Sequence, residues 1–460
     1  MAGGGTRLAL DAAATEPHHL EATWGRFDPI HIAYESFAME NIEVTPQGSI
    51  QFGRELRFKI LNHAEYIAGA YLELTFPAIS APTDVHLTTY YRIAWCHYVG
   101  IYVFDEIEFK VNNNTLDKLY PEYMDIWRRI NVPECKQFGY NDMVGQINYK
   151  DEISANLWIQ NAQYDPRAPQ NALHDKPSFK TIMPLQFWWC LSWTQALPIG
   201  ILVFSEVWIH VKLKAANQLY TIYENTTNNT PWDAGTTTVS TATITAPDLT
   251  NCRLFIDYVY LQNSARDRIS TQSFFYLITQ VKHTGSSPVS SSNVTYRMPF
   301  VLPVSALLWV IRENEATDNK DYYFFDKYQG NAPLTAGALN PALSTHVYNV
   351  PDSMIDRATI KILAEDTQSE RDWMYWSRYQ HYRHRTKIPE SRSIYQYSFA
   401  LDPANSQASG VVNFSASEQN YIQMYLNSGA GVDGTAAPLG IGYDSKVGEL
   451  FVFAESSYKS

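Results

Sequence analysis

No run of about eighteen apolar residues occurs in this chain, so it offers no candidate transmembrane helix. The N-terminus, Met1 to Thr15, is small and polar and lacks the apolar stretch of a cleaved signal peptide, so no secretion signal is expected. Cysteine is scarce: Cys96, Cys135, Cys190 and Cys252 are the only four in 460 residues, and none forms a CxxC pair. That excludes a disulfide scaffold and weakens a zinc reading, and a reducing cytoplasm is the simplest setting. Charge is sparse too. Charged residues make up 18%, below the usual quarter, and 35 Lys+Arg against 47 Asp+Glu leave a net −12. A coat held on nucleic acid by counterion release needs a basic face, so no direct nucleic-acid contact is expected of the chain as a whole. The sequence has no GxxxxGK[ST], no GxGxxG between a strand and a helix, no GxSxG and no HExxH.

Aromatic residues, by contrast, reach 14%, with 31 Tyr, 21 Phe and 12 Trp. They combine large contact area with few rotors and are enriched at interfaces. Either much surface becomes buried in an assembly or the β core is aromatic-rich; composition leaves both open.

Period-two alternation dominates the text. In Gln51–Leu61 the positions Phe52, Leu56, Phe58 and Ile60 are apolar while Glu55, Arg57 and Lys59 are charged, the pattern of a half-buried strand. Ile101–Val111 and Ile201–Leu213 repeat it. One segment reads as helix: Asp117–Ile130 spaces Leu119, Tyr123, Ile126, Trp127 and Ile130 by three and four, with Pro121 in the first turn and Pro133 as a stop. A composition break follows at Asn225–Thr245, Thr- and Asn-rich and nearly uncharged, which reads as a linker or long loop. Strand-like text resumes at Leu254–Leu261, Phe274–Lys282, Ala306–Arg312, Thr359–Leu363, Ser393–Leu401, Tyr421–Leu426 and Glu449–Phe453, with a second helix at Ser369–Tyr382 and a loop at Gly285–Ser292. The expected organisation is all-β: an N-terminal arm over 1–23, a first jelly roll over 24–215, a linker over 216–249 and a second jelly roll over 250–460. No residue-by-residue internal repeat is visible.

Candidate chemical groups all have plainer explanations. His381 and His384 are spaced to share a helix face, but Arg378, Arg383, Arg385 and Lys387 surround them and would repel a cation. Asp105, Glu106 and Glu108 could hold a glycosidase's paired carboxylates. Glu106 and Glu108 alternate outward and Asp105 falls on the apolar face, so a solvated strand with ion pairs is the preferred reading. The Arg378–Lys387 run interleaves Tyr379 and Tyr382 and could stack bases, yet Arg pairing with carboxylates fits the acidic chain better. Sequons stand at Asn113, Asn225, Asn228, Asn293 and Asn413; without a signal peptide, secretory glycosylation is not expected of them. No catalytic, cofactor or metal residue is expected.

From Leu116 to Gly145 the text becomes specific: Asp117-Lys118, Tyr120 through Asp125-Ile126-Trp127, Pro133-Glu134, Gly139-Tyr140 and Met143-Val144-Gly145 follow in order. This resembles the major capsid proteins of nucleocytoplasmic large DNA viruses, the iridovirus and phycodnavirus kind. Phe37-Ala38-Met39-Glu40, Pro184 through Cys190 with Ala196-Leu197-Pro198, Leu254–Leu261, Leu307–Val310, Ser369-Glu370-Arg371, Ile394–Leu401 and Asn413-Phe414-Ser415 extend the likeness over about 37–415. Departures lie at Asp11–Thr23 and over 427–447, and Gly448–Phe453 supplies a final strand by position alone. The resemblance implies two tandem eight-stranded jelly rolls with short helices in loops. It implies a homotrimeric, pseudo-hexagonal capsomer tiling an icosahedral virion shell, with neighbouring capsomers, minor capsid and penton proteins as partners and an internal membrane beneath, reached indirectly. It implies no enzyme. The loops Gln146–Ile182, Asn225–Thr245 and Gly285–Asn293 are expected to project from the sandwich ends. The competing reading is a jelly-roll carbohydrate-binding or glycan-cleaving protein.

Overall fold

The computed structural model describes residues 37–80, 82, 90–145, 175–225, 237–239, 244–262, 265–267, 277–318, 320–326, 353–363, 365–405, 409–416, 419–426 and 448–459. The expected arm over 1–23, most of the 146–182 loop, Asn228 and the Gly/Ala-rich 427–447 lie outside them.

Among the described residues, eight strands build the two main sheets of the first half: β1 (Phe37–Val44), β2 (Glu55–Ile60), β3 (Tyr66–Phe76), β4 (Phe104–Val111), β5 (Asn114–Leu119), β6 (Phe179–Pro184), β7 (Val207–Leu213) and β8 (Asn251–Leu261). They form two antiparallel sheets, β1-β8-β3-β6 and β2-β7-β4-β5. The second half holds β9 (Leu277–His283), β10 (Asn293–Arg297), β11 (Pro303–Glu313), β12 (Ile355–Ile362), the two-residue pieces β13 (Glu365–Asp366) and β14 (Arg371–Asp372), then β15 (Ile394–Ser398), β16 (Tyr421–Leu426) and β17 (Gly448–Lys459). Its sheets are β9-β17-β11-β15 and β10-β16-β12, with β13 and β14 on the free edge of β12. With β13 and β14 taken as one interrupted position, both halves share a strand order of first-eighth-third-sixth facing second-seventh-fourth-fifth. That is jelly-roll connectivity, used twice.

Alternation explains the cores. In β8 Cys252, Leu254, Ile256, Tyr258 and Tyr260 point inward while the residues between them do not. They meet Leu56, Phe58, Ile107, Phe109, Ile209 and Val211 of the opposite sheet in one cluster. The second core sets Leu307, Trp309, Ile311, Leu450, Val452 and Tyr395 against Ile360, Ile422 and Met424. β11 does not alternate: every residue from Val304 to Glu313 is buried. Its outward Leu308 and Val310, with Phe451, Phe453, Ile394 and Ile278, belong to the first half's core cluster. The second roll's first sheet is therefore covered on both faces, by its own roll and by its neighbour.

Several boundaries differ from the sequence reading. The sequence places Leu254–Leu261 in a second unit over 250–460, but β8 lies between β1 and β3 in the first sheet. Alternation identifies a strand without naming its partner, and the Thr-rich stretch before it is a connection within the first roll. Inside the expected linker, Tyr220–Asn225 pairs with Tyr90–Trp95 and with Thr237–Val239. Asp117 lies in β5, and the helix begins at Pro121, because the extended run is needed to pair with β4. Val99–Tyr102 and Ile199–Ile201 are short helical turns preceding their strands. In the Gly285–Ser292 loop, Ser287–Val289 pairs with β17. Asp105 leaves the apolar face: the β4–β7 register jumps between Lys212↔Glu106 and Leu213↔Phe104, which makes Asp105 the extra residue of a bulge.

Candidate assembly interface

The two rolls meet along helix α1 (Pro121–Asn131), which follows β5 directly. Pro121 opens it where no intrahelical bond is lost, and Val132-Pro133 closes it in extended backbone. Met124, Ile126 and Ile130 fill the first core. Its charged residues do not face water: Glu122, Asp125 and Arg128 are buried, each with partners. Arg312 Nη1 on β11 donates to Glu122 Oε1 at 3.1 Å. Burial acts to raise the Glu122 carboxyl, but Arg312 and Lys214 hold it below the usual carboxylate range. Asp125 Oδ1 accepts from Arg128 Nε at 3.0 Å, and Asp125 Oδ2 accepts from Tyr102 Oη at 3.1 Å and Arg129 Nη2 at 2.8 Å. Arg129 also donates to the Tyr323 carbonyl at 2.6 Å, tying the helix to the second half. Burial raises and the two arginines lower the Asp125 pKa, and the arginines win.

A second contact centres on Tyr123. Its ring lies 5.7 Å from Phe453 and its hydroxyl donates to Glu455 Oε1 at 3.0 Å. Glu455 Oε2 accepts from Arg385 Nη2 at 2.7 Å, and Arg385 Nε reaches Gln396 Oε1 at 2.6 Å. A third contact joins β5 to β9: Asp117 Oδ1 accepts the backbone N–H of Val281 at 3.1 Å and of Lys118 at 2.9 Å. Its burial pushes the carboxyl up to about 7 against those bonds and the pull of Lys282. Charged groups this buried survive only when paired, so the seam fixes one relative position of the rolls.

The groups singled out in the sequence are dispersed. Asp105 pairs with Lys212 at 2.6 Å, Glu106 with Lys118 at 3.3 Å and Glu108 with Lys110 at 2.6 Å and with Lys118, an ion-pair ladder rather than a catalytic dyad. His381 is fully buried with Nδ1 3.0 Å from the Ser377 carbonyl, and burial together with Arg385 pushes its pKa down to about 3. His384 Nδ1 instead contacts the Leu401 carbonyl at 2.9 Å. Among the described residues no group of His, Cys, Asp and Glu is arranged to hold a metal ion. In the basic run, Arg378 donates to the Pro389 and Glu390 carbonyls and Lys387 pairs with Glu134, so it braces the second roll and the seam. Asn113 stands in a left-handed turn (φ 68°) between β4 and β5, Asn225 ends its strand, Asn293 opens β10 and Asn413 pairs with Pro303. Sequence reasoning missed the seam residues. The spacing of Tyr123, Ile126 and Ile130 marks one buried face, and nothing in it shows that the opposite, charged face carrying Glu122, Asp125 and Arg128 is covered by the second roll.

Two family models span the chain. Residues 27–262 match the major capsid protein N-terminus, and residues 265–458 match the large eukaryotic DNA virus major capsid protein. The chain belongs to the major capsid protein family of large eukaryotic DNA viruses. It is 26% identical to the major capsid protein of Phaeocystis pouchetii virus over 86% of this chain and 87% of that one. It is 24% identical to the major capsid protein of Paramecium bursaria Chlorella virus 1 over 85% and 79%. In fold it is similar to the PBCV-1 virus capsid (TM-score 0.70, 20% identity, 94% and 96% covered). It is also similar to the Faustovirus major capsid protein (TM-score 0.69, 13% identity, 94% and 92% covered). The chain is a structural capsid protein of the double jelly-roll kind, and the virion capsid is its place. The N-terminal match ends at residue 262, one residue past β8, so the family's own division falls where the hydrogen bonding changes sheets.

Proposed function

We propose that the chain is a non-enzymatic building block that associates as a homotrimer, and that these trimers tile an icosahedral shell. The observation that carries this is the seam. Two rolls of one strand order are locked together by the buried Arg312–Glu122 ion pair and by the hydrogen bonds of Tyr123 to Glu455 and of Val281 to Asp117, so each chain contributes two like units in one fixed relation. Three chains then supply six units around a ring, the sixfold-like outline of a tile that packs hexagonally. The units divide near residues 262–265. Minor capsid and penton proteins would complete the shell, any internal membrane would be met through them, and assembly would take place within the infected cell. The ion-pair ladder at Glu106 and Glu108 supports no glycosidase reading. Class averages of the purified chain by negative-stain electron microscopy should show hexagonal outlines; round or elongated single-chain particles across concentration would refute the trimer.

A further inference from the structure

The rolls differ in what covers them. On the second roll, the outer face of β9-β17-β11-β15 is covered by α1 of the first. The corresponding face of β1-β8-β3-β6 carries Phe37, Met39, Asn41 and Glu43 exposed and Tyr71, Phe255 and Asp257 only half-buried.

A bulge sets the two sheets in common register. Between β3 and β8 the pairing jumps from Asp257↔Gly69 to Tyr258↔Ile67; between β11 and β17 it jumps from Glu455↔Ala306 to Ser456↔Val304. Counted from the bulge, Asp257 stands where Glu455 stands and Phe255 where Phe453 stands. Tyr71, paired with Phe255, stands where Leu308 is paired with Phe453. Glu455 and Phe453 are the residues Tyr123 of α1 engages. On the first roll no helix among the described residues engages their counterparts: Phe255 stacks on Tyr71 at 4.9 Å, and Asp257 accepts the Asn41 amide at 2.6 Å but enters no described ion pair.

The helix that follows the fifth strand has a counterpart too. α1 follows β5; in the second roll the π turn Tyr375–Tyr379 and α2 (Gln380–His384) follow β14. One face of that segment packs into its own roll through Trp376, as α1 does through Ile126. The other carries Met374, Tyr379 (53% exposed), Tyr382 (73% exposed) and Arg383, which is exposed and in no described ion pair.

We propose that this helical segment of one copy seats on the Phe255–Asp257 face of the next, repeating between chains the contact α1 makes within a chain. The proposal rests on the self-assembly reading and names its surface. Tyrosine meets an apolar stripe beside a carboxylate that enters no described ion pair, as Tyr123 meets Phe453 and Glu455, and Arg383 brings from the neighbour the cation that Arg385 supplies to Glu455 from within its own roll. The two surfaces are unlike, so the contact runs head to tail and is satisfied everywhere only in a closed ring.

The test uses the full chain with Cys135→Ser, which removes the exposed native thiol. Asp257→Cys and Tyr382→Cys are placed on separate chains, mixed, dissociated, reassociated and treated with a short bis-maleimide. The mixture should give covalent pairs while each variant alone gives none, and a chain carrying both should ladder to three. Asp257→Arg should weaken association by about tenfold or more while the dissociated single chain melts as the parent's does, as expected for losing a charged interface contact. Pairs formed by a single variant with itself, or three-chain particles that never cross-link, would overturn this surface and leave the trimer standing. A chain that stays single at every concentration would overturn both.

Discussion

Asp117 shows what one buried side chain does to the molecule's pH response. Its carboxyl lies at about 7 in the fold against 3.8 unperturbed, because burial outweighs the N–H groups of Val281 and Lys118. Between those pH values the folded chain keeps a proton that the unfolded chain has released. Stability from this group is therefore full below the lower value and falls as pH rises, by roughly 1.4 kcal/mol per unit, until the carboxyl ionises in the fold. Asp117→Asn keeps an acceptor for both N–H groups and carries no charge. Its melting temperature relative to the parent should climb between pH 5 and 8 and then level; parallel curves would contradict the assignment. Nothing in the text around Asp117 distinguished it from a helix N-terminal acid, since its environment is made by β9, more than 160 residues away in sequence.

At the scale of elements, α1 is the joint. Arg312→Leu would leave Glu122 buried with its main cation gone, a loss of about 3 kcal/mol in denaturant unfolding; Glu122→Leu with Arg312→Leu should recover much of it, because two apolar groups need no pairing. A double variant no more stable than Arg312→Leu alone would show that the pair is not coupled. The helix was legible from its spacing of Tyr123, Ile126 and Ile130, and strands such as Tyr421–Leu426 from their alternation. What alternation could not tell was partnership. β8 reads as a strand from Leu254 to Leu261, but its place between β1 and β3 depends on chain reversal, not on its own residues. β11 lost the alternation itself, since a strand covered on both faces carries apolar residues throughout.

For the whole molecule, the duplicated roll was legible as a count of strands and a pair of helices but not as a repeat of residues. The structure gives the reason. Equivalent positions meet different surroundings: Arg253 and Tyr71 are only part-buried, whereas Phe451 and Leu308 are buried in the first half's core cluster, so like places in the fold require unlike residues. The same asymmetry leaves the first roll with a face to fill and the second with a helix to fill it. The central claim is that three chains close into one particle, and its most direct test is the mass in solution of the purified chain, by light scattering after size exclusion. One subunit is 52.5 kDa. The account predicts one stable species at three times that mass; a clean monomer that persists as concentration rises would contradict it.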